Sequence, residues 1–297
     1  LNNPKPHDAL FKWLISSFTV EFFAHYFPDI KISRYTFIDK EFISKYEALR
    51  ESLEGDLFLM LEIEINNEWQ EVAIQIEHQS ERKDISKRLF EYLCYVWLLK
   101  QKPVWSIVIY TDEAVWRKPI LDKFCYGFSP EHPQQYFHFS VIKVKSEKSS
   151  DLIKKHSLLC KLLALKANDK GTDPEQLVYD IYQTVAKMRE QLTADQLLLI
   201  QQWVDYYKKI SAQTYEKIKQ EVNMAYVETT ITEHIANQAE ARGEARGEAR
   251  GEARGEARGK ILGQLETYEQ LVKLGLLSES VYTSMTAPLR QQLESLK

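Results

Sequence analysis

The sequence predicts an α/β fold, with a mixed sheet built early in the chain and a mostly helical second half. Three observations lead there. Two apolar runs with strand character, Asp56–Ile65 and Glu71–Glu77, flank the turn signal Asn66-Asn67, as a β-hairpin requires. A glycine-free helical stretch then separates that hairpin from the apolar run Val104–Tyr110, and such a helix is a natural crossover to a parallel strand. From about Asp151 onward the apolar residues recur at helical spacing.

Each element follows from its own pattern. Leu10, Phe11, Leu14, Phe18, Phe22 and Phe23 make a helical stripe over His7–Phe27, and Pro28 stops it. Tyr35–Ile38 reads as a short strand before the hairpin. After Ser80 the period changes to that of a helix, with Ile85, Leu89, Tyr92, Leu93, Val96 and Leu99 on one face over residues 82–102, ended by Pro103. Val104–Tyr110 suits a central strand buried on both faces. Tyr136–Lys145 alternates and suits a strand nearer the sheet edge. Helices are expected over Leu152–Leu165, Asp173–Glu190 and Thr193–Gln220, the middle one opened by Thr172-Asp173-Pro174.

Residues Ala239–Gly259 repeat Glu-Ala-Arg-Gly five times from Glu240. On a helix a period of four stacks like charges at i,i+4, and one Gly per turn costs about 1 kcal/mol each relative to Ala. The segment therefore reads as a solvated linker. A paired helix with a Gly/Ala seam between charge stripes is the other reading, and with it a homo-oligomer. Beyond it lie an amphipathic helix from Ile261 to Val272, a Gly275 cap and a second helix over Ser278–Leu296.

The chain has 297 residues, of which 44% are hydrophobic and 12% aromatic, enough to build a proper core. Its longest apolar stretch, Leu93–Leu99, is far too short to span a bilayer, and no signal peptide opens it, so no membrane partner is expected. Three cysteines without pairing or metal spacing fit a reducing cytoplasm and exclude a zinc module. The net charge of −4 argues against wholesale nucleic-acid binding, yet the charge is segregated. Eight acids face one base between Arg50 and Glu77, and eight lysines face three acids between Lys143 and Lys170. An acidic pocket beside a phosphate-tracking surface gives this pattern. Two solvated faces give it as well, and on charge alone they are the plainer reading.

The chemistry concentrates at the strand ends. Strand alternation puts Glu77 and Gln79 on one face, and Ile74, Ile76 and His78 on the other. Glu77 can then converge with Asp56 on one hard cation, and acids beside an apolar core cost stability unless something binds them. A cap at Asp56, a structural His78 whose carbonyl alone reaches a metal, and an Asp8–Lys12 surface pair are the plainer alternatives. Glu62 and Glu64 share the Asp56 face at a distance, and Arg88 and Tyr92 share a helix face that suits substrate contact or packing equally.

Several stretches together resemble the Rpn family, the recombination-promoting nucleases once labelled putative transposases, within the PD-(D/E)XK superfamily. They are His7-Asp8-Ala-Leu-Phe11-Lys12, Asp56 opening a strand, Ile76-Glu77-His78-Gln79-Ser80, Arg88-Leu-Phe-Glu-Tyr92, Pro103 before a buried strand, and Trp116-Arg-Lys-Pro119. The match spans roughly residues 6–170. The resemblance implies an αβββαβ core and metal-dependent DNA endonuclease activity, with the site at the positions of Asp56, Glu77 and Gln79. The chain then divides into a nuclease-like core over residues 1–150 and, from its own patterning, a helical extension over 151–238, the repeat linker over 239–259 and a small helical module over 260–297. Most of the wider superfamily carries Lys where this chain has Gln79. Lys12, Lys87 or Arg88 is the candidate for the missing cation and for phosphate contact.

The expected function is a magnesium-dependent endonuclease, with manganese as substitute, cutting DNA with little sequence specificity. Asp56, Glu77 and the His78 carbonyl hold the metal and Gln79 holds a water. Basic side chains on the 82–102 helix and the 143–170 segment position the backbone. The rival is a catalytically weak or inactive relative acting as an interaction module. A transposase needing three acids fits poorly, because no third acid is suitably placed.

Overall fold

The computed structural model describes residues 6–38, 56–114, 116–117, 121–129, 131–208, 210–221, 248, 251–252 and 254–295. Expectations on Glu51, Glu54, Gly55, Lys118, Pro119 and most of the repeat fall outside these residues. The chain divides into two units, Leu1–Glu228 and Thr229–Lys297.

The first unit opens with two helices where one was expected, α1 (Pro6–Ser17) and α2 (Thr19–Tyr26). At the break Phe18 leaves helical geometry (φ −132°, ψ 42°), and the Thr19 hydroxyl bonds back to the Ile15 carbonyl at 2.9 Å. The apolar stripe continues through the kink, so Phe11, Leu14, Phe18, Phe22 and Phe23 are all buried.

Strands β1 (Ile32–Phe37), β2 (Asp56–Ile65) and β3 (Glu68–Gln79) then run antiparallel. Asn66 and Asn67 join β2 to β3 with φ of 53° and 64°. Two positive φ values in a two-residue loop match the right-handed strand twist, and Asn tolerates them best after Gly. Helix α3 (Ser86–Lys100) crosses to β4 (Val104–Tyr110), which lies parallel to β3. It starts later than expected because residues 80–85 are irregular, with Asp84 accepting from the Ser86 amide at 2.9 Å.

The expected strand over 136–145 is two. β6 (His132–His138) pairs with an unanticipated β5 (Lys123–Ser129) in a separate two-stranded sheet. β7 (Ser140–Lys143) closes the main sheet beside β4. The main order is β1-β2-β3-β4-β7, antiparallel on one side and parallel on the other.

Both faces of this sheet are covered. Toward α3, Phe58 and Ala73 pack with Tyr92 and Val96, and Val108 and Tyr110 pack with Ile85 and Leu89. On the other face Ile74, Ile76, Ile107 and Ile109 are buried, and Phe11 of α1 stacks on His78. Helices α4 (Ser149–Leu152), α5 (Leu158–Ala164), α6 (Pro174–Met188), α7 (Ala194–Tyr207) and α8 (Ala212–Glu221) complete the unit. Their starts follow the sequence signals: the Asp173 side chain caps α6 ahead of Pro174, and Thr193 with Gln196 forms a capping box on α7. Helix α7 ties directly to α1, with Trp13 donating to Asp195 at 2.7 Å and the buried Trp203 lying 4.9 Å from Phe11.

In the second unit residues 254–273 form α9, and α10 spans Glu279–Ser295. Gly275 caps α9 at φ 69°. The last repeat residues, 254–259, are helical. They prolong a helix nucleated by the apolar residues beyond them, and each added residue needs no new nucleus. The like-charge run also ends there, since Lys260 pairs with Glu256 at 2.7 Å. No helix among the described residues is long and apolar enough to cross a membrane.

Candidate active site

Asp56, the first residue of β2, sits directly opposite Glu77 of β3 in the antiparallel register. Directly opposed residues hold their Cβ atoms about 5 Å apart. Both side chains point toward α3, and both are withdrawn from water, Asp56 at 0% and Glu77 at 2% exposure. Two carboxylates in that position repel one another and lose hydration, so each needs compensation.

Part of it is visible. Glu77 Oε1 accepts from Gln79 Nε2 at 2.6 Å and from the Arg88 guanidinium of α3. Glu77 Oε2 is buried without a hydrogen-bond partner. Asp56 Oδ2 accepts from Gln75 Nε2 at 3.3 Å, and Gln75 Oε1 in turn accepts from the Ser106 hydroxyl at 2.9 Å. Gln75 and Ser106 were not anticipated as site residues. Their signal was present, since Ser106 is the lone polar residue of β4, Gln75 interrupts the buried apolar run Val72–Ile76, and β3–β4 register pairs them.

His78 faces the opposite side of the sheet. Its Nδ1 lies 2.8 Å from Asp8 Oδ1 and its Nε2 lies 2.8 Å from Thr111 Oγ1. Thr111 Oγ1 is also 2.8 Å from His7 Nε2, and the Tyr207 hydroxyl meets His7 Nδ1. Asp8 is thus engaged with His78. Burial lowers the His78 pKa against the pull of Asp8, and burial followed by the charges of His78 and Lys166 lowers His7 to about 4. Burial also pushes the Tyr207 phenol upward. Both imidazoles are therefore neutral at pH 7, and the cluster pins α1 and α7 to the ends of β3 and β4. Its chain of contacts spans residues 7 to 207, which no local pattern announces.

The other expected residues separate. Arg88 reaches Glu77, whereas Tyr92 is fully buried against Phe58. Lys87 is exposed and faces Glu91 at 3.8 Å. Lys12 acts on His78 electrostatically, which places it on the α1 side, away from Glu77. Glu62 pairs with Arg34 and Glu64 with Lys31, remote from the acids as expected. Within the basic 143–170 stretch, Lys143 binds Asp112, and Lys145 and Lys166 bind Glu113. These three lysines serve internal pairs, whereas Lys148, Lys154, Lys155 and Lys170 of the same stretch are exposed.

A second basic surface lies beside the acids. A cleft of about 710 Å³ runs between the start of α3 and β5, lined by Lys83, Lys87, Arg88 and Lys123 with Asp84 and Glu91. A smaller cavity of about 260 Å³ shares Lys83, Asp84, Ile85 and Leu121 and adds Arg82 and Tyr110. Arg88 joins the buried acids to this cleft. Among the described residues no group of three or more His, Cys, Asp or Glu side chains gathers to hold a metal. Magnesium needs fewer, because it keeps several waters and takes one or two carboxylates. A buried Glu77 oxygen without a partner, opposite a second carboxylate, fits such a hard cation.

No family model, no curated protein and no solved structure matches this chain.

Proposed function

We propose that the protein is a metal-dependent phosphodiesterase acting on DNA, with the Asp56–Glu77 pair as its centre. The observation that carries the reading is the direct opposition of two buried carboxylates, one with an unpartnered oxygen, beside an arginine that opens onto a basic cleft. The helix–three strands–helix–strand order of the described chain also supports a PD-(D/E)XK-like core.

Asp56, Glu77 and the His78 carbonyl are the groups that would hold magnesium or manganese. When bound, the ion would polarise a phosphate oxygen and lower the pKa of a coordinated water. The chain's own residues do the rest. Gln79, already within hydrogen-bond reach of Glu77, orients the attacking water. It supplies no charge, so that role falls to Arg88, whose planar fork matches a phosphate in two bonds. Arg88 holds Glu77 while the cleft is empty and turns to the scissile phosphate when substrate arrives. Lys83, Lys87 and Lys123 grip flanking phosphates, which gives affinity without reading sequence.

The test is plasmid nicking by the full chain with magnesium, manganese or EDTA. Divalent-dependent nicking that disappears in Asp56→Ala and Glu77→Ala supports the proposal. Equal nicking by these variants overturns the Asp56–Glu77 centre, and none by the wild type with either metal overturns the proposal in favour of a non-catalytic interaction protein.

A further inference from the structure

The β5–β6 hairpin stands outside the main sheet and is fixed to α3 by aromatic contacts. Phe90 lies 5.1 Å from Phe124, 5.6 Å from Tyr126 with the rings stacked, and 6.0 Å from Phe137. Beyond this anchor the hairpin exposes aromatic surface that the fold does not use. Phe128 is 87% exposed and Tyr136 47%. Lys123 Nζ sits 5.1 Å over the Tyr136 ring and also lines the basic cleft that Arg88 shares with Glu77.

The shape is specified by one glycine. The ladder is irregular on both sides of Gly127, and a Cβ there would lie 2.5 Å from the His132 carbonyl oxygen and 2.8 Å from Pro133 Cα. Only glycine allows the two strands to approach so closely, and irregularities of this kind sharpen strand twist and re-aim side chains.

We infer that this hairpin is a base-stacking arm, so that the substrate carries unpaired nucleotides; the inference rests on the nuclease reading of the adjoining acids. Cations at the hairpin base point to a polyanion. A duplex offers phosphates and base edges but hides its base faces, and phosphate binding alone gives no use for two exposed rings. Unpaired bases present their faces, and every base can stack on Phe or Tyr whatever the sequence. Phosphates would follow Lys123, Lys87 and Arg88 while bases lie on Tyr136 and Phe128.

The experiment is fluorescence anisotropy in EDTA with the full chain, so that cleavage does not enter. The probes are a single-stranded oligonucleotide, a blunt duplex of the same sequence, and that duplex with a single-stranded overhang. We expect the single strand and the overhang to bind at least about tenfold tighter than the blunt duplex, given the usual worth of stacked bases. Phe128→Ala and Tyr136→Ala should each weaken single-strand binding about tenfold and leave blunt-duplex binding unchanged, while Phe128→Trp retains it. Phe128 is almost wholly exposed, so its loss does not threaten the fold. Equal affinity for all probes, unchanged single-strand affinity in Phe128→Ala, or aromatic-dependent binding to anionic phosphatidylserine vesicles in place of the oligonucleotides would overturn the inference. The two readings fail separately. Aromatic-dependent binding without divalent-dependent nicking removes only the catalytic one, and nicking with aromatic-independent binding removes only the arm.

Discussion

Replacing Arg88 by alanine takes the cation from a carboxylate that is 2% exposed and faces a second carboxylate across the strand pair. Breaking a buried ion pair from one side costs about 3–5 kcal/mol. The Arg88 side chain is 36% exposed, so water screens part of the interaction, and about 2–3 kcal/mol is the fitting range. A unit of this size shifts its Tm by about 2–4 °C per kcal/mol, so Arg88→Ala should melt about 5–10 °C below wild type at pH 7. Glu77→Gln behaves differently. It removes the buried charge and its repulsion with Asp56, and Arg88 can turn into water, so its Tm should stay within about 3 °C of wild type or rise. The double variant should recover most of the Arg88→Ala loss. Magnesium should raise the Tm of Arg88→Ala and leave Glu77→Gln unmoved. Thermal unfolding followed by circular dichroism reads all of these. An Arg88→Ala protein melting with the wild type, or a double variant melting as low as Arg88→Ala, refutes the reasoning.

Other outcomes follow from the same geometry. Asp56→Ala and Glu77→Ala should abolish divalent-dependent nicking while keeping wild-type circular dichroism, and a folded, active variant contradicts the site. Gln79→Lys should preserve or raise nicking, because an ammonium there still reaches Glu77 and adds the missing charge; a folded but inactive variant shows that Gln79 must be neutral. His7, lowered to about 4 from 6.5, is neutral when folded, so the unfolded chain binds the extra proton. Its contribution is fully present above about pH 6.5 and is lost as pH falls toward 4. Urea midpoints should show wild type losing stability relative to His7→Asn over that window, and a constant difference contradicts the assignment. Gly255, Gly259 and Gly263 have nothing within 4 Å of a built Cβ, so alanine at each should stabilise α9 by up to about 1 kcal/mol. Increased helicity in far-ultraviolet circular dichroism checks this, and unchanged helicity contradicts it.

The parts of the fold legible in the sequence were those set by short-range pattern. Val104–Tyr110 and the Asn66-Asn67 turn emerged where alternation and turn chemistry place them. The opposed faces of Glu77 and His78 followed from the two-residue period of a strand. What stayed hidden depends on partners far along the chain or on local irregularity. Lys123–Ser129 lacks clean alternation and carries Gly127, so its strand is defined only by pairing with β6. The Phe18 break leaves the apolar stripe intact and therefore no trace in the periodicity. Within 143–170, Lys143, Lys145 and Lys166 read as part of a binding surface until Asp112 and Glu113, some thirty to fifty residues earlier, are seen to neutralise them.

The link between α1 and α7 bears on how this chain can be inherited. Phe11 stacks on His78 on one side and meets Trp203 on the other, while Trp13 and Ser17 are held by Asp195 and Gln196. A chain ending after β7 would keep every acid and every strand, yet would bare the helix that steadies the strand bearing Glu77. Sheet and helical cover are therefore not separable cassettes. Any recombination or fusion that carries the carboxylate pair into a new protein must carry the segment up to Tyr207 with it.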